Sequence, residues 1–160
     1  MTAVHSFRPG LIGLVQRADA LLGAIPLSLS LLALRVALAV PFFRSGLTKW
    51  DGFLDLSASA RLLFAQHFKL HIFGAAYAYP FPGLMAWVTA IAEIVLPILL
   101  VLGLFTRFSA LGILLMTAVI QLTVPDGWAN FHLPWAAMAL ALVTLGGGKI
   151  AADRVWKQGT

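Results

Sequence analysis

The stretch GLMAWVTAIAEIVLPILLVLGL, residues 83–104, decides the fold. It exceeds the roughly 20 apolar residues that a helix needs to cross a bilayer, and Glu93 is its one charged side chain. Working outward, three more segments meet the same condition, at about 28–48, 107–125 and 131–147. Pro80, Pro82 and Gly83 punctuate the start of the quoted stretch, and Gly103 with Thr106 and Arg107 marks a tight turn at its end. Pro125-Asp126-Gly127 turns the chain between the third and fourth segments, and Gly146-Gly147-Gly148 stops the last. That glycine run precedes Lys149 but lacks the Ser or Thr and the spacing of a phosphate loop. Composition agrees, since 61% of the 160 residues are hydrophobic and 11% charged, against roughly 25% charged in soluble domains. The expected fold is an all-α integral membrane four-helix bundle forming a single domain over residues 1–160.

The formal charge of +5 does not point to nucleic acid, because the eleven Lys and Arg sit at the borders of apolar runs without a basic stripe. They read as membrane flanks, and the lipid bilayer is the first expected partner. The chain has no cysteine, which excludes disulfides, thiolate metal sites and an internal dithiol relay. The run Leu27 to Leu47 is expected to stay as an anchor rather than act as a secretory signal. It contains Arg35, follows a long leader and lacks a small-x-small cleavage site before Arg44. The leader itself, residues 9–26, is amphipathic and predicts a helix lying in the interface. With four spans, Arg8, Arg17, Arg107, Lys149, Arg154 and Lys157 share one side, and Arg44, Lys49, Arg61 and Lys69 the other. Six basic residues against four favour both termini in the cytoplasm. The long 50–82 connection is then external. Within it, residues 53–71 place Phe53, Leu56, Leu63, Phe64, His67, Leu70 and His71 on one helical face, which predicts a re-entrant or interfacial helix.

Intramembrane charges need partners, because an Arg at the centre of a span costs roughly 2.5–3.5 kcal/mol on an insertion scale. Arg35 and Glu93 are the expected pair, with Arg35 roughly 10 Å and Glu93 roughly 16 Å from the cytoplasmic helix ends. Such a pair either fixes helix register or marks a functional pathway. Pro41 can kink the first span between Arg35 and Arg44, and Arg35, Phe42, Gly46 and Lys49 share a face. Ala86, Thr89, Ala90 and Pro97 surround Glu93 and read as close helix packing. His67 and His71 are four residues apart, which on a helix projects both imidazoles from one face. With His132 at the same outer level they form a candidate metal or haem-type site, against the alternative of ordinary interfacial histidines. Gln121, Trp128, Asn130 and Trp50 stand near them. Trp50, Trp87, Trp128, Trp135, Tyr77 and Tyr79 gather toward the external ends, where they serve as interfacial anchors or form an aromatic cleft for a flat quinone ring.

The pattern Arg35, then Arg44-Ser45-Gly46-Leu47-Thr48-Lys49-Trp50, then Ala92-Glu93-Ile94 and Leu102-Gly103-Leu104-Phe105-Thr106-Arg107, resembles the DoxX family of small four-helix bacterial membrane proteins. The likeness covers roughly residues 31–148. It implies a link to membrane redox work, because some relatives are subunits of thiosulfate:quinone oxidoreductases and others assemble with partners that detoxify oxidants. On that basis the chain is expected to be a subunit, accessory to or part of a quinone-linked oxidoreductase, with a protein partner or a homo-oligomeric assembly. Arg44, Lys49, Trp50, Glu93, Gln121 and Trp128 are its expected quinone-site residues. The absence of cysteine excludes the thiol exchange of thioredoxin-associated relatives. Thr123 to Trp135 resembles a narrower subgroup that accompanies enzymes modifying metal-binding peptides and proteins of copper handling. That resemblance supports a second expectation, an accessory role in copper or metallopeptide homeostasis through His67, His71 and His132. A purely structural assembly factor is the third.

Overall fold

Lipid cannot hydrogen-bond a peptide group, so apolar runs of this length satisfy their backbone within helices. The structure, a computed structural model, describes residues 10–154; Arg8, Pro9 and Lys157 lie outside the described residues. In chain order, α1 (Leu11–Gly23) and α2 (Leu27–Leu47) are followed by a short ladder of β1 (Trp50–Gly52) and β2 (Asp55–Leu56). Then come α3 (Ala58–Leu62), which runs on into a π turn at Leu63–His67, and a second ladder of β3 (Lys69–Ile72) and β4 (Ala75–Ala78). Helices α4 (Pro82–Leu102) and α5 (Thr106–Thr123) follow, and a 3-10 turn at Pro125–Gly127 and a π turn at Trp128–His132 lead into α6 (Leu133–Leu145). Among the described residues four segments, Leu27–Leu47, Pro82–Leu102, Thr106–Thr123 and Pro125–Leu145, are long and apolar enough to cross a membrane. The chain is therefore a multi-pass four-helix membrane bundle. Helix α2 packs chiefly on α4 and α5 chiefly on α6, while α4 against α5 and α2 against α6 close the ring.

The bundle is arranged with its polar side chains inward. Arg35, Glu93, Thr106, Ser109, Thr117 and His132 are buried, whereas Val36, Val40, Ile91, Val95, Ile98, Leu115 and Val119 face outward. Hydrocarbon accepts the outer surface, so each helix needs only a narrow inner seam of small and polar groups. On α4 that seam is Ala86, Ala90, Glu93, Pro97 and Leu100. Helix α4 starts with Pro82 in its first turn, where a missing N–H costs nothing. It ends at Gly103, whose φ of 73° lets the Gly103 N–H bond the Leu100 carbonyl at 3.1 Å and the Leu104 N–H the Leu99 carbonyl at 2.9 Å. Leu31, Leu38, Phe42, Leu100, Ile113 and Leu142 fill the centre of the ring.

The start of α2 and the chain beyond α6 meet on one side of the bundle, hereafter the terminal side, where the Lys149 N–H donates to Ser28 Oγ at 3.2 Å. There Asp153 Oδ1 accepts the Phe105 N–H at 2.6 Å and Oδ2 the Thr106 N–H at 2.8 Å, capping α5 with a carboxylate from the chain beyond α6. No residue of α1 is buried, and Leu11, Ile12, Val15, Leu21 and Leu22 are exposed. The opposite side carries the two ladders. The external helix expected over 53–71 is confined to Ala58–His67, and strands replace it on both flanks. Phe73 (φ 51°) and Gly74 (φ 82°) form a two-residue turn with both φ positive, which folds Lys69–Ile72 onto Ala75–Ala78 with Leu70 opposite Tyr77. Leu56, Ala60 and Phe64 from this cap pack on Ala86 and Ala90 of α4.

Candidate functional site

One residue before α2 ends, on the side of the ladders, α2 and α4 approach closely because position 46 has no side chain. A Cβ at Gly46 would stand 2.9 Å from the Glu93 carbonyl oxygen and 2.8 Å from Ile94 Cδ1. Pro97, four residues on, has no N–H to offer that carbonyl. Glu93 therefore sits where the two helices touch, and its carboxylate extends toward the side of the ladders. Lys49, just past the end of α2, turns back to meet it: its ammonium donates to Glu93 Oε2, to Ser45 Oγ at 3.0 Å and to the Ser45 carbonyl at 3.4 Å. The two side chains are 12% and 5% exposed, so the pair is withdrawn from bulk solvent. Of the three ammonium hydrogens, the one directed at the Ser45 carbonyl has the longest contact and is the one a competing acceptor displaces at least cost.

The pair stands on the wall of a cavity of about 410 Å³ between α2, α4, α5 and α6. Phe64 and Phe68 of the cap line it, their rings edge to face with centroids 5.1 Å apart. Tyr79, 5.5 Å from Phe64 by ring centroids, also lines it and shares a hydrogen bond with Thr123. Phe42 and Trp135, 5.0 Å apart, form the inner wall. Polar groups are thus few, one set around Lys49, Glu93, Ser45 and Thr89 and a second at the Tyr79–Thr123 hydrogen bond, with aromatic and aliphatic surface elsewhere.

Of the expected quinone-site residues, Lys49 and Glu93 line this cavity. Arg44 is exposed; Trp50 packs its ring against Trp87 at 5.3 Å. Gln121 is engaged with His132, and Trp128 is half exposed. The expected Arg35–Glu93 pair does not form. Gly46 is level with Glu93, and Arg35 lies eleven residues earlier on α2, about 16 Å down the axis. Arg35 instead donates through Nη1 to the Val101 carbonyl at 3.3 Å and the Leu100 carbonyl at 3.5 Å, at the negative end of the α4 dipole. Its Nε and Nη2 are buried without a partner among the described residues. Counting depth from helix ends missed the stagger between α2 and α4, which the sequence does not state. Tyr79 and Trp135, expected in an aromatic cleft, do line the cavity, and so do Phe64, Phe68 and Thr123, which were not expected there, and Thr89, which was read as helix packing.

The histidines are not brought together. His67 ends the π turn and His71 lies on β3, so the helical i, i+4 geometry is lost. His71 Nδ1 is 3.1 Å from the Leu122 carbonyl. His132 is buried, with Nδ1 2.6 Å from Gln121 Oε1 and Gly127 packed over its ring. Among the described residues no group of three or more His, Cys, Asp or Glu is placed to hold a metal ion.

A family model described as DoxX matches residues 30–126 of the chain. A protein of Haemophilus influenzae, described as uncharacterized, is 30% identical over 152 residues, which is 88% of this chain and 91% of that protein. No solved structure matches.

Proposed function

The chain belongs to the DoxX family, and from that premise we propose that it is a redox-associated subunit that holds a quinone ring in the cavity beside Lys49 and Glu93. One observation carries the reading: a sequestered ion pair on the wall of an otherwise apolar, aromatic-lined cavity of about 410 Å³. That volume falls within the roughly 300–1,000 Å³ of small-molecule sites, which pair much apolar surface with a few placed polar groups. The residues fit a quinone. Lys49 supplies a donor for a ring carbonyl, Ser45 and Glu93 hold that ammonium in place, and Phe42, Phe64, Phe68 and Trp135 give flat apolar surface to the ring faces. A bound quinone supplies two-electron, two-proton chemistry, and a protein partner exchanges the electrons with it. Glu93 keeps an acceptor for protons at the same end of the cavity. The terminal side is taken as cytoplasmic in a bacterial inner membrane, so the site opens toward the external half of the bilayer. A copper role draws less support, because the three histidines do not converge.

The test is a titration of the detergent-purified protein with a short-chain quinone analogue, read by quenching of tryptophan fluorescence, with Trp135 at the wall as reporter. Saturable quenching that weakens at least tenfold in Lys49→Met and is unaffected by Arg44→Gln is expected. Equal quenching in all three proteins would remove the reading.

A further inference from the structure

A second cavity, of about 630 Å³, lies on the terminal side, where the first turns of α2 and α5 meet the chain beyond α6. Three cations stand around it, Arg107, Lys149 and Arg154. All three are exposed, and none has a carboxylate within ion-pair distance among the described residues. The single acidic group on the lining, Asp153, spends both oxygens on the Phe105 and Thr106 amides. Positive charge is therefore in excess.

A buried polar group points the same way. Thr106 lines the cavity at 0% exposure, and its hydroxyl has no hydrogen-bond partner among the described residues. Unpaired buried polar atoms are rare in native proteins and signal a missing water, ion or ligand. Ala151 packs between Gly103, which adjoins the Arg35 guanidinium, and Gly147, which adjoins the Thr106 hydroxyl. The Arg35 guanidinium, whose Nη1 is the atom beside Gly103, thus adds a fourth positive charge behind the wall. Leu27, Phe108 and Leu145, 62%, 75% and 55% exposed, complete the rim with apolar surface on the lipid side. Cations and a free hydroxyl suit phosphate oxygens, and an adjoining apolar rim suits acyl chains. We propose that this cavity is a phosphate-group site that takes the headgroup of an anionic phospholipid. The site is independent of the quinone reading and lies at the other end of the bundle.

The experiment reconstitutes the full-length protein in nanodiscs of phosphatidylcholine and phosphatidylglycerol, strips lipid in detergent and counts retained molecules by native mass spectrometry. Phosphatidylglycerol is retained over phosphatidylcholine by the wild type and by the control R61Q/K69Q on the opposite side. Each of R107Q, K149Q and R154Q lowers retention about fivefold, and the triple variant on the order of a hundredfold. The single substitutions are at exposed positions, so the result does not depend on the triple variant folding. Inorganic phosphate separates the sources: displacement of the lipid identifies the phosphate group as the recognised part, and retention in its presence identifies the intact headgroup. Either result upholds the site if the basic variants lose the lipid. Equal retention by wild type and basic variants, or no preference for phosphatidylglycerol, overturns it.

Discussion

Gly46 is the residue on which the site turns, because any side chain there meets the Glu93 backbone as well as the tip of Ile94. Gly46→Val is expected to destabilise the bundle by about 1–3 kcal/mol, the usual cost of overpacking; thermal unfolding in detergent measures it. A Tm equal to that of the wild type would mean that α2 and α4 do not touch as described. The ion pair gives a sharper expectation. Glu93→Gln leaves a largely buried ammonium without its counter-charge, at a cost near the lower end of the roughly 3–5 kcal/mol seen when a buried pair is broken, since Lys49 keeps Ser45 and can reach outward. Lys49→Met combined with Glu93→Gln is expected to recover most of that loss in a double-mutant cycle, and purely additive effects would argue against direct coupling. Glu93 and Lys49 were each recognisable in the sequence as polar groups of interest. Their pairing was not, because side-chain chemistry names candidates while helix stagger selects among them, and the stagger follows from packing at Gly46.

The spanning elements were legible for a plain reason: lipid imposes length and apolarity on every residue of a span, so the signal accumulates over many positions. The fourth is an instructive partial case, since its first turns at Pro125–His132 are 3-10 and π rather than α. The external segment behaved differently. A helical projection over 53–71 matched its apolar residues, yet the local turn chemistry of Phe73-Gly74 prevailed and made strands of Lys69–Ile72 and Ala75–Ala78. Short two-stranded ladders leave little periodic signal, and here they persist because Leu56, Ala60 and Phe64 bury against α4. At this scale the segment after α6 offers a direct check. Asp153→Asn weakens the charge-assisted cap on α5 by about 1 kcal/mol. It is expected to raise hydrogen exchange at the Phe105 and Thr106 amides and in 148–154, while exchange in α2 stays unchanged. Unaltered protection at both amides would show that the carboxylate is not their partner.

For the whole molecule, the natural absence of cysteine makes topology directly measurable. A single cysteine at Phe73, fully exposed at its turn, is expected to react with a membrane-impermeant maleimide in intact cells, and one at exposed Lys149 only after lysis. The reverse pattern would invert the orientation and move the ion-pair cavity to the cytoplasmic half. The order of the chain adds one more consequence. Lys49 is joined to β1 at Trp50 with nothing between them, and its carbonyl receives the Ser57 N–H at 2.9 Å. The outer cap and the interior charge are therefore mechanically continuous. A shift of the cap therefore reaches the Lys49 backbone across a single peptide bond, and the tether of the buried ammonium moves with it.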